Sequence, residues 1–439
     1  MVKVVKFGGS SLASAEQFKK AGDIIRSEED RKYVVPSAPG KRNDKDTKVT
    51  DLLYKCYDEA EQGKDYTETL DRIRERYDEI IKGLGLKLDL SGEFRTISEN
   101  FKNRAGRQYA ASRGEYLNGM IMAEYLGFTF LDAAEVVLFD DDGNFLSEDT
   151  NTVLSRKLKE LDNVVMPGFY GATRDGVVKT FSRGGSDISG SILARSASAD
   201  LYENWTDVSG FLVADPRVVK DPEVINIITY KELRELSYMG ATVLHEDAIF
   251  PVRRSGIPIN IRNTNKPDDP GTLIVENTCK SSDYTITGIA GKKGFVSVNI
   301  EKDMMNSEIG FGRRALEAFE LSGINFEHVP SGIDTLSVIV HQPEFEGKEQ
   351  QVLAALHRLT DPDSIDIDSD IALIAVVGRS MRANRGVAAR IFAVLAHNNV
   401  NIKMIDQGSS ELNIIIGVSN NDFETAIRAI YDIFVTSRL

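Results

Sequence analysis

The sequence predicts an α/β domain built on a largely parallel sheet, followed by two copies of a small α+β module. Three observations carry this. Strand and helix signals alternate over roughly the first 260 residues. The first apolar run ends in a glycine turn and passes into a helical pattern. The last third of the chain repeats itself when shifted by 76 residues.

Taken in order, the apolar run at 2–5 is the first strand, and it ends in Lys6-Phe7-Gly8-Gly9-Ser10-Ser11. A helix opens from that turn, with Phe18, Ala21, Ile24 and Ile25 on one face. Tyr33-Val34-Val35 is a second strand, stopped by Pro36-Ser37-Ala38-Pro39-Gly40. Residues 41–50 are polar and charged and read as a mobile loop. Leu70, Ile73, Tyr77, Ile80 and Ile81 mark an amphipathic helix across 66–82. A longer helix covers 105–126, and strands follow at 128–131, 136–138, 164–166 and 201–205. Asn263 to Gly271 is a turn cluster, and the polar stretch 276–284 reads as a linker.

In the repeat, Gly310 meets Gly386, Asn325 meets Asn401, Gly332 meets Gly408, Leu336 meets Leu412 and Ile339 meets Ile415. Each copy predicts a strand (296–300; 372–377), a helix (311–322; 387–398), two further strands, the second at 336–340 or 412–416, and a closing helix. A module this small buries too little surface alone, so the two copies are expected to pair. Domains are expected at 1–280, 285–366 and 367–439, with the strand near 285–291 pairing with the last.

The net charge is -14, from 67 acidic against 53 basic residues. Such a surface repels nucleic acid and anionic membrane, so neither is an expected partner. The two cysteines, Cys56 and Cys279, form no CxxC pair, which argues against a disulfide framework or structural zinc. The five histidines show no metal-ligand spacing, and no metal cage is expected. No run of 18 apolar residues occurs, and a reducing cytoplasm is the expected location.

Several short motifs can carry chemistry. In Lys6-Phe7-Gly8-Gly9-Ser10-Ser11, glycines let backbone N–H groups approach a phosphate, with Lys6 beside them. The order is neither that of a Walker A loop nor GxGxxG. Arg183-Gly184-Gly185-Ser186-Asp187 is a second glycine turn at a helix start. There Arg183 suits a carboxylate or phosphate, while Ser186 or Asp187 equally suits a plain N-cap. Ser112-Arg113-Gly114-Glu115 fits the Ser-x-x-Glu capping box; the other reading of Glu115 is a grip on a substrate ammonium. Thr206 and Asp207 end a strand, where parallel sheets bind ligands, or form a turn with local Asx bonding.

In order and spacing these motifs, with Val49-Thr50-Asp51-Leu52-Leu53, Pro167-Gly168-Phe169 and Trp205-Thr206-Asp207, resemble the aspartokinases over essentially the whole chain. Ser10 stands where threonine is common. The repeat is similar to that family's paired ACT domains. The resemblance implies an amino-acid-kinase fold, a three-layer αβα open and mainly parallel sheet, followed by two ferredoxin-like ACT domains. It implies ATP with Mg²⁺ as donor and L-aspartate as acceptor. By that resemblance Lys6 contacts the transferring phosphoryl group and Asp187 positions Lys6. Arg183 and Glu115 hold the α-carboxylate and α-amino group of aspartate, in a pocket shaped by Thr50, Phe169 and Ser186. Gly8, Gly9, Ser10, Thr206, Asp207, Leu212 and Arg217 fall where the family binds ATP. Thr242 replaces a nucleotide-contacting lysine, and Glu246 a proline.

The first ACT copy is expected to hold an effector at Met305, Asn306, Asn325, Phe326, Glu327 and Asp334. Acidic Glu327 and Asp334 favour L-lysine, with threonine the alternative. The second copy carries Lys403 and Ser410 at the matching places. A homodimer or homotetramer through the ACT domains is expected. Two rival functions stand beside this: another kinase of the same fold, and a catalytically silent ACT-based sensor. A fused dehydrogenase after residue 439 is not expected.

Overall fold

A computed structural model describes residues 1–182, 184–241, 250–278 and 284–436. The chain divides into two compact units. The first comprises Met1–Phe211, Asn226–Tyr230 and Val243–Thr278; the second comprises Leu212–Ile225, Lys231–Thr242 and Cys279–Leu439.

The first unit opens with β1 (Lys3–Phe7), α1 (Ala15–Arg26), β2 (Arg31–Pro36), α2 (Val49–Glu61), α3 (Thr67–Leu84), α4 (Ser91–Lys102) and α5 (Arg107–Leu126). It continues through β3 (Thr129–Phe130), α6 (Ala133–Val136), β4 (Leu138–Phe139), α7 (Ser147–Leu158), β5 (Val164–Val165), β6 (Tyr170–Thr173) and β7 (Val178–Thr180). Then come α8 (Gly185–Ser196), β8 (Leu201–Thr206), β9 (Ile227–Thr229), and, beyond α9 (Tyr230–Tyr238), α10 (Phe250–Arg254), β10 (Ile259–Asn263) and β11 (Thr272–Val275). Eight strands form one sheet in the order β3-β5-β2-β1-β8-β10-β11-β9. Only β10–β11 is antiparallel. A small sheet, β4-β6-β7, stands apart.

β1 is flanked on both sides, so Val4, Val5 and Phe7 are fully buried. That is why it reads as an unbroken apolar run and not as an alternation. Lys6 is the exception, at the carboxyl end of the strand. The glycine turn does not open α1 directly, as the sequence suggested. A 3₁₀ turn (Gly9–Leu12) intervenes, and Ser14 caps α1, its Oγ accepting the Gln17 N–H at 3.4 Å.

α5 is buried on nearly every side. Gly114 permits this, since a Cβ there would lie 2.8 Å from the Ala38 Cβ. Ser112 and Glu115 sit inside α5, whose N-cap is Gly106, so the capping-box reading is wrong. The segment read as a mobile loop, 41–50, is also corrected. Its end belongs to α2, and Arg76 of α3 pins the remainder by donating to Asp46 and to the Gly40 carbonyl, each at 2.6 Å. Burial pushes the Asp46 carboxyl up, but hydrogen bonds from Arg42 and Arg76 outweigh it and hold the group far below its usual range.

The second unit contains α9, β12 (Gly288–Glu301), α11 (Phe311–Leu321), β13 (Phe326–His328), β14 (Thr335–His341), α12 (Gln342–Phe345) and α13 (Glu349–Thr360). β15 (Ser364–Val377), α14 (Val387–His397), β16 (Met404–Asp406), β17 (Asn413–Val418) and α15 (Phe423–Tyr431) complete it. Its antiparallel sheet has the order β13-β14-β12-β15-β17-β16. β12 and β15 pair along their whole length, from Gly288↔Val377 to Glu301↔Ser364. The 76-residue shift carries Lys292 onto Asp368 and Ser297 onto Leu373, so the pairs Lys292↔Leu373 and Ser297↔Asp368 exchange with each other. The sequence repeat is therefore a local two-fold axis, and each copy borrows half of the other's long strand. The sequence reading started β15 at 372; residues 364–370 are mostly exposed and carry little apolar signal.

Candidate active site

A cleft of about 650 Å³ opens in the first unit beyond the carboxyl ends of β1 and β8, where parallel sheets present their ligand sites. Lys6, Gly8, Gly9, Ser10, Phe169, Ser186 and Asp187 line it. Thr50, Glu115, Thr206 and Asp207 also face it. Thr206 hydrogen-bonds Asp207 at 3.2 Å, the local bond that a turn would make. Sequence reasoning missed Lys41, Arg42 and Lys48, which line the same cleft. Their signal was there, a run of cations straight after Gly40, but it looked like an ordinary solvated loop.

The glycines are needed where they stand. A Cβ on Gly9 would lie 2.9 Å from the Ala38 carbonyl oxygen, and one on Gly40 would lie 2.5 Å from the Gly9 carbonyl carbon. The Gly40 N–H donates to the Gly9 carbonyl at 2.8 Å, so two loops meet backbone to backbone. A cradle that a Cβ would fill, with an ammonium beside it, fits the phosphates of a nucleotide.

Lys6 Nζ lies 2.5 Å from Asp187 Oδ1, and both side chains are largely buried. Asp187 is in the first turn of α8, whose N-cap is Gly184 in the left-handed region at φ 72. Neither Ser186 nor Asp187 caps that helix, which corrects the plain-cap reading. Phe169 holds a positive φ of 79, strain of a kind that gathers at functional sites. Its N–H donates to Ser189 Oγ at 2.9 Å, which fixes the loop against α8.

Glu115 is the unusual member. It is 5% exposed, and burial pushes its carboxyl up to about 8, against backbone hydrogen bonds and the Lys6 charge that draw it down. Its Oε2 is buried and has no hydrogen-bond partner among the described residues. A buried carboxyl oxygen without a partner is costly unless a ligand completes it. An ammonium group is the complement its charge calls for.

Arg183 and Thr242 lie outside the described residues, as does Glu246. Leu212 and Arg217, grouped with the ATP site from sequence, belong to the second unit, in a depression of about 550 Å³. Arg217 is exposed and forks onto Asp215, with Nη2–Oδ2 at 2.6 Å. The Arg217 hydrogen bond holds the Asp215 carboxyl below its usual value.

In the first ACT-like copy, Met305 is buried on a 3₁₀ turn (Met305–Ser307). That turn is laced to the following loop, with Asn306 N–H donating to the Ile333 carbonyl at 3.1 Å and Met304 N–H to Asp334 Oδ1 at 3.0 Å. Asn325 N–H points at Glu344 Oε2 at 3.3 Å, and Phe326 is half exposed at the start of β13. Glu327 Oε2 accepts the Tyr238 hydroxyl at 2.5 Å.

Comparison with known proteins agrees with this geometry. Residues 1–263 match the amino acid kinase family, and residues 374–434 match an ACT domain. Aspartokinase 3 of Bacillus subtilis (strain 168) is 41% identical over 449 residues, covering 99% of this chain and 98% of that protein. The bifunctional aspartokinase/homoserine dehydrogenase of Haemophilus influenzae is 29% identical, and this chain spans 56% of its length. The crystal structure of Clostridium acetobutylicum aspartate kinase superposes with a TM-score of 0.90 at 51% identity, covering 99% of both chains. E. coli aspartokinase III, solved with aspartate and ADP, shares the fold at a TM-score of 0.73 and 24% identity, over 98% of this chain and 99% of that one. No described helix is long and apolar enough to cross a membrane. The chain belongs to the aspartokinase family and is an ATP-dependent phosphotransferase.

Proposed function

We propose that the enzyme transfers the γ-phosphoryl group of ATP to the side-chain carboxylate of L-aspartate, giving 4-phospho-L-aspartate. This would be the first step towards lysine, threonine and methionine, in the cytoplasm. The observation that carries the choice of acceptor is the buried Oε2 of Glu115, without a hydrogen-bond partner among the described residues, in the same cleft as the Lys6–Asp187 pair. An amino acid with a free ammonium supplies what Glu115 lacks. Glu115 takes the α-amino group and Arg183 the α-carboxylate, with Thr50, Phe169 and Ser186 shaping the pocket. The glycine cradle at Gly8 and Gly9 with Ser10, Thr206 and Asp207 takes the nucleotide.

The acceptor carboxylate is already a nucleophile at neutral pH, so no general base is required. Phosphoryl transfer depends on position and on charge stabilisation. Lys6 provides the positive charge at the transferring group, and Asp187 holds its ammonium in place. Mg²⁺ entering with the nucleotide would supply charge neutralisation on the donor phosphates. Trapping the acyl phosphate with hydroxylamine tests the assignment. Hydroxamate should form with L-aspartate and ATP, and not with N-acetyl-L-aspartate.

Residues 1–280 form the catalytic domain on this reading, and 285–366 and 367–439 the ACT domains, through which the chain assembles as a dimer or tetramer. L-Lysine is the proposed feedback inhibitor, bound at the first copy. What supports the asymmetry is Lys403, which stands where the first copy has Glu327. Its Nζ lies 2.9 Å from Asp368 Oδ2 and donates to the Asp370 carbonyl at 2.7 Å. The second copy thus fills its own cation position. Inhibition requires lysine to prefer an inactive arrangement; a tenfold loss of substrate affinity needs about 1.4 kcal/mol of coupling. Millimolar lysine that leaves turnover and substrate affinity untouched would refute the effector.

A further inference from the structure

We propose that Asn204 is a positioning residue for phosphoryl transfer, holding Asp187 so that Lys6 is aimed without being locked. Asn204 lies on β8 directly beside Lys6 in register and is 4% exposed. Its Nδ2 donates to Asp187 Oδ1 at 2.9 Å, the same oxygen that Lys6 Nζ approaches to 2.5 Å. Two residues earlier on β8, the buried Tyr202 hydroxyl donates to the main-chain carbonyl of Asp187 at 3.1 Å. One strand therefore grips both the backbone and the carboxylate of Asp187. Gly190 makes this approach possible, since a Cβ there would lie 2.4 Å from the Tyr202 hydroxyl.

A carboxylate oxygen that already accepts an amide N–H binds an ammonium less tightly. Asn204 thereby takes up part of the charge that Lys6 would otherwise neutralise, and the ammonium stays available to the transferring phosphoryl oxygens. Without that amide the Lys6–Asp187 pair closes on itself and must open at each turnover. The full-length enzyme carrying Asn204→Leu, Asn204→Ser or Asn204→Asp tests this. Asn204→Leu keeps the volume and loses the donor, and kcat should fall about tenfold or more while KM for ATP and aspartate stays within about twofold. Asn204→Ser keeps a donor and should retain more kcat than the Leu variant. Asn204→Asp sets a second carboxylate beside Asp187 and should give a rate that recovers as pH falls. Wild-type kcat in the Leu variant, a Ser variant slower than the Leu variant, or losses that only track the folded fraction each overturn the proposal.

A second inference rests on a separate observation, the local two-fold of the C-terminal sheet, and also on the lysine reading above. The 76-residue shift carries Glu327 onto Lys403 and Lys292 onto Asp368. In the second copy the pair is direct, Lys403 to Asp368. In the first copy the signs are exchanged and Tyr238, from the last turn of α9, touches both partners. Its hydroxyl donates to Glu327, while Lys292 Nζ lies 5.5 Å over its ring and donates to its carbonyl. We infer that Tyr238 competes with a cationic effector for Glu327. An effector ammonium on Glu327 frees the end of α9, while its start stays held by Glu232, which accepts from Thr287 at 2.6 Å and pairs with Arg379 at 3.0 Å.

Calorimetric titration of the full chain with L-lysine tests it. Tyr238→Phe should bind lysine several-fold to about tenfold more tightly, since the effector no longer displaces a charged-group hydrogen bond. Wild type that binds no lysine overturns the effector reading and this inference with it. Wild type that binds lysine, with equal or weaker binding by Tyr238→Phe, overturns this inference alone.

Discussion

Replacing Glu115 by glutamine keeps the shape of the side chain and removes its charge, with opposite consequences for stability and for catalysis. The carboxyl is raised from 4.5 to about 8 by burial. The folded chain thus holds a proton there that the unfolded chain releases between those values. Its contribution to stability is full below about pH 4.5 and is lost as pH rises through about 8. With each pH unit worth about 1.4 kcal/mol, the loss is on the order of 5 kcal/mol. The neutral amide of the Glu115→Gln variant carries no such penalty. Thermal unfolding of the free enzymes at pH 6 to 9 should show Glu115→Gln gaining on wild type as pH rises, by up to about 1.4 kcal/mol per unit until about pH 8. Aspartate binding runs the other way. An ammonium favours the ionised carboxylate, so wild-type KM for aspartate should fall towards pH 8, by up to about tenfold per unit, with proton release in calorimetry. The glutamine variant should lose both effects and chiefly weaken aspartate, not ATP. A Tm difference between the two proteins that is independent of pH would refute a neutral buried Glu115. Unchanged aspartate KM with collapsed ATP affinity would refute its role.

Other consequences follow from the same geometry. Lys6→Ala should lower kcat on the order of 100-fold or more in a folded protein, because it removes the cation beside the phosphate cradle; near-normal turnover would remove Lys6 from the mechanism. Arg76→Ala leaves Asp46 with one guanidinium fewer and frees the Gly40 carbonyl, and should destabilise the protein by about 3 kcal/mol while raising KM for ATP; limited proteolysis within 41–48 reads the loosening. Gly40→Ala should abolish nucleotide binding, since its Cβ would meet the Gly9 backbone at 2.5 Å; ATP affinity in that variant checks it. Sedimentation at micromolar concentration should find a dimer or larger, and a monomer would contradict assembly through the C-terminal copies.

The sequence displayed what is periodic or local. The apolar run before Lys6, the helical spacing from Leu70 to Ile81 and the 76-residue repeat all correspond to elements found. It hid what depends on partners remote along the chain. Ser112-x-x-Glu115 matched a capping box because four residues cannot reveal that α5 is buried by loops around Ala38 and Pro167. Arg76 lies on a helix legible only as amphipathic, and its reach to Asp46 and the Gly40 carbonyl depends on the fold. Asn204 carried no motif at all; only the pairing of β8 with β1 puts it beside Lys6 and Asp187. The strand read near 285–291 is the start of β12 and pairs with β15, whereas the amino-terminal half of β15 was missed because it pairs with the other copy's strand and is mostly exposed.

The most direct test of the central claim compares L-aspartate with succinate, the same dicarboxylate without its ammonium, in the hydroxylamine trap. If Glu115 reads the ammonium, wild type should prefer aspartate by about 100-fold or more in kcat/KM, and Glu115→Gln should lose most of that preference while still turning over at saturating aspartate. Wild type that phosphorylates the two equally, or forms no hydroxamate from aspartate, would contradict the account.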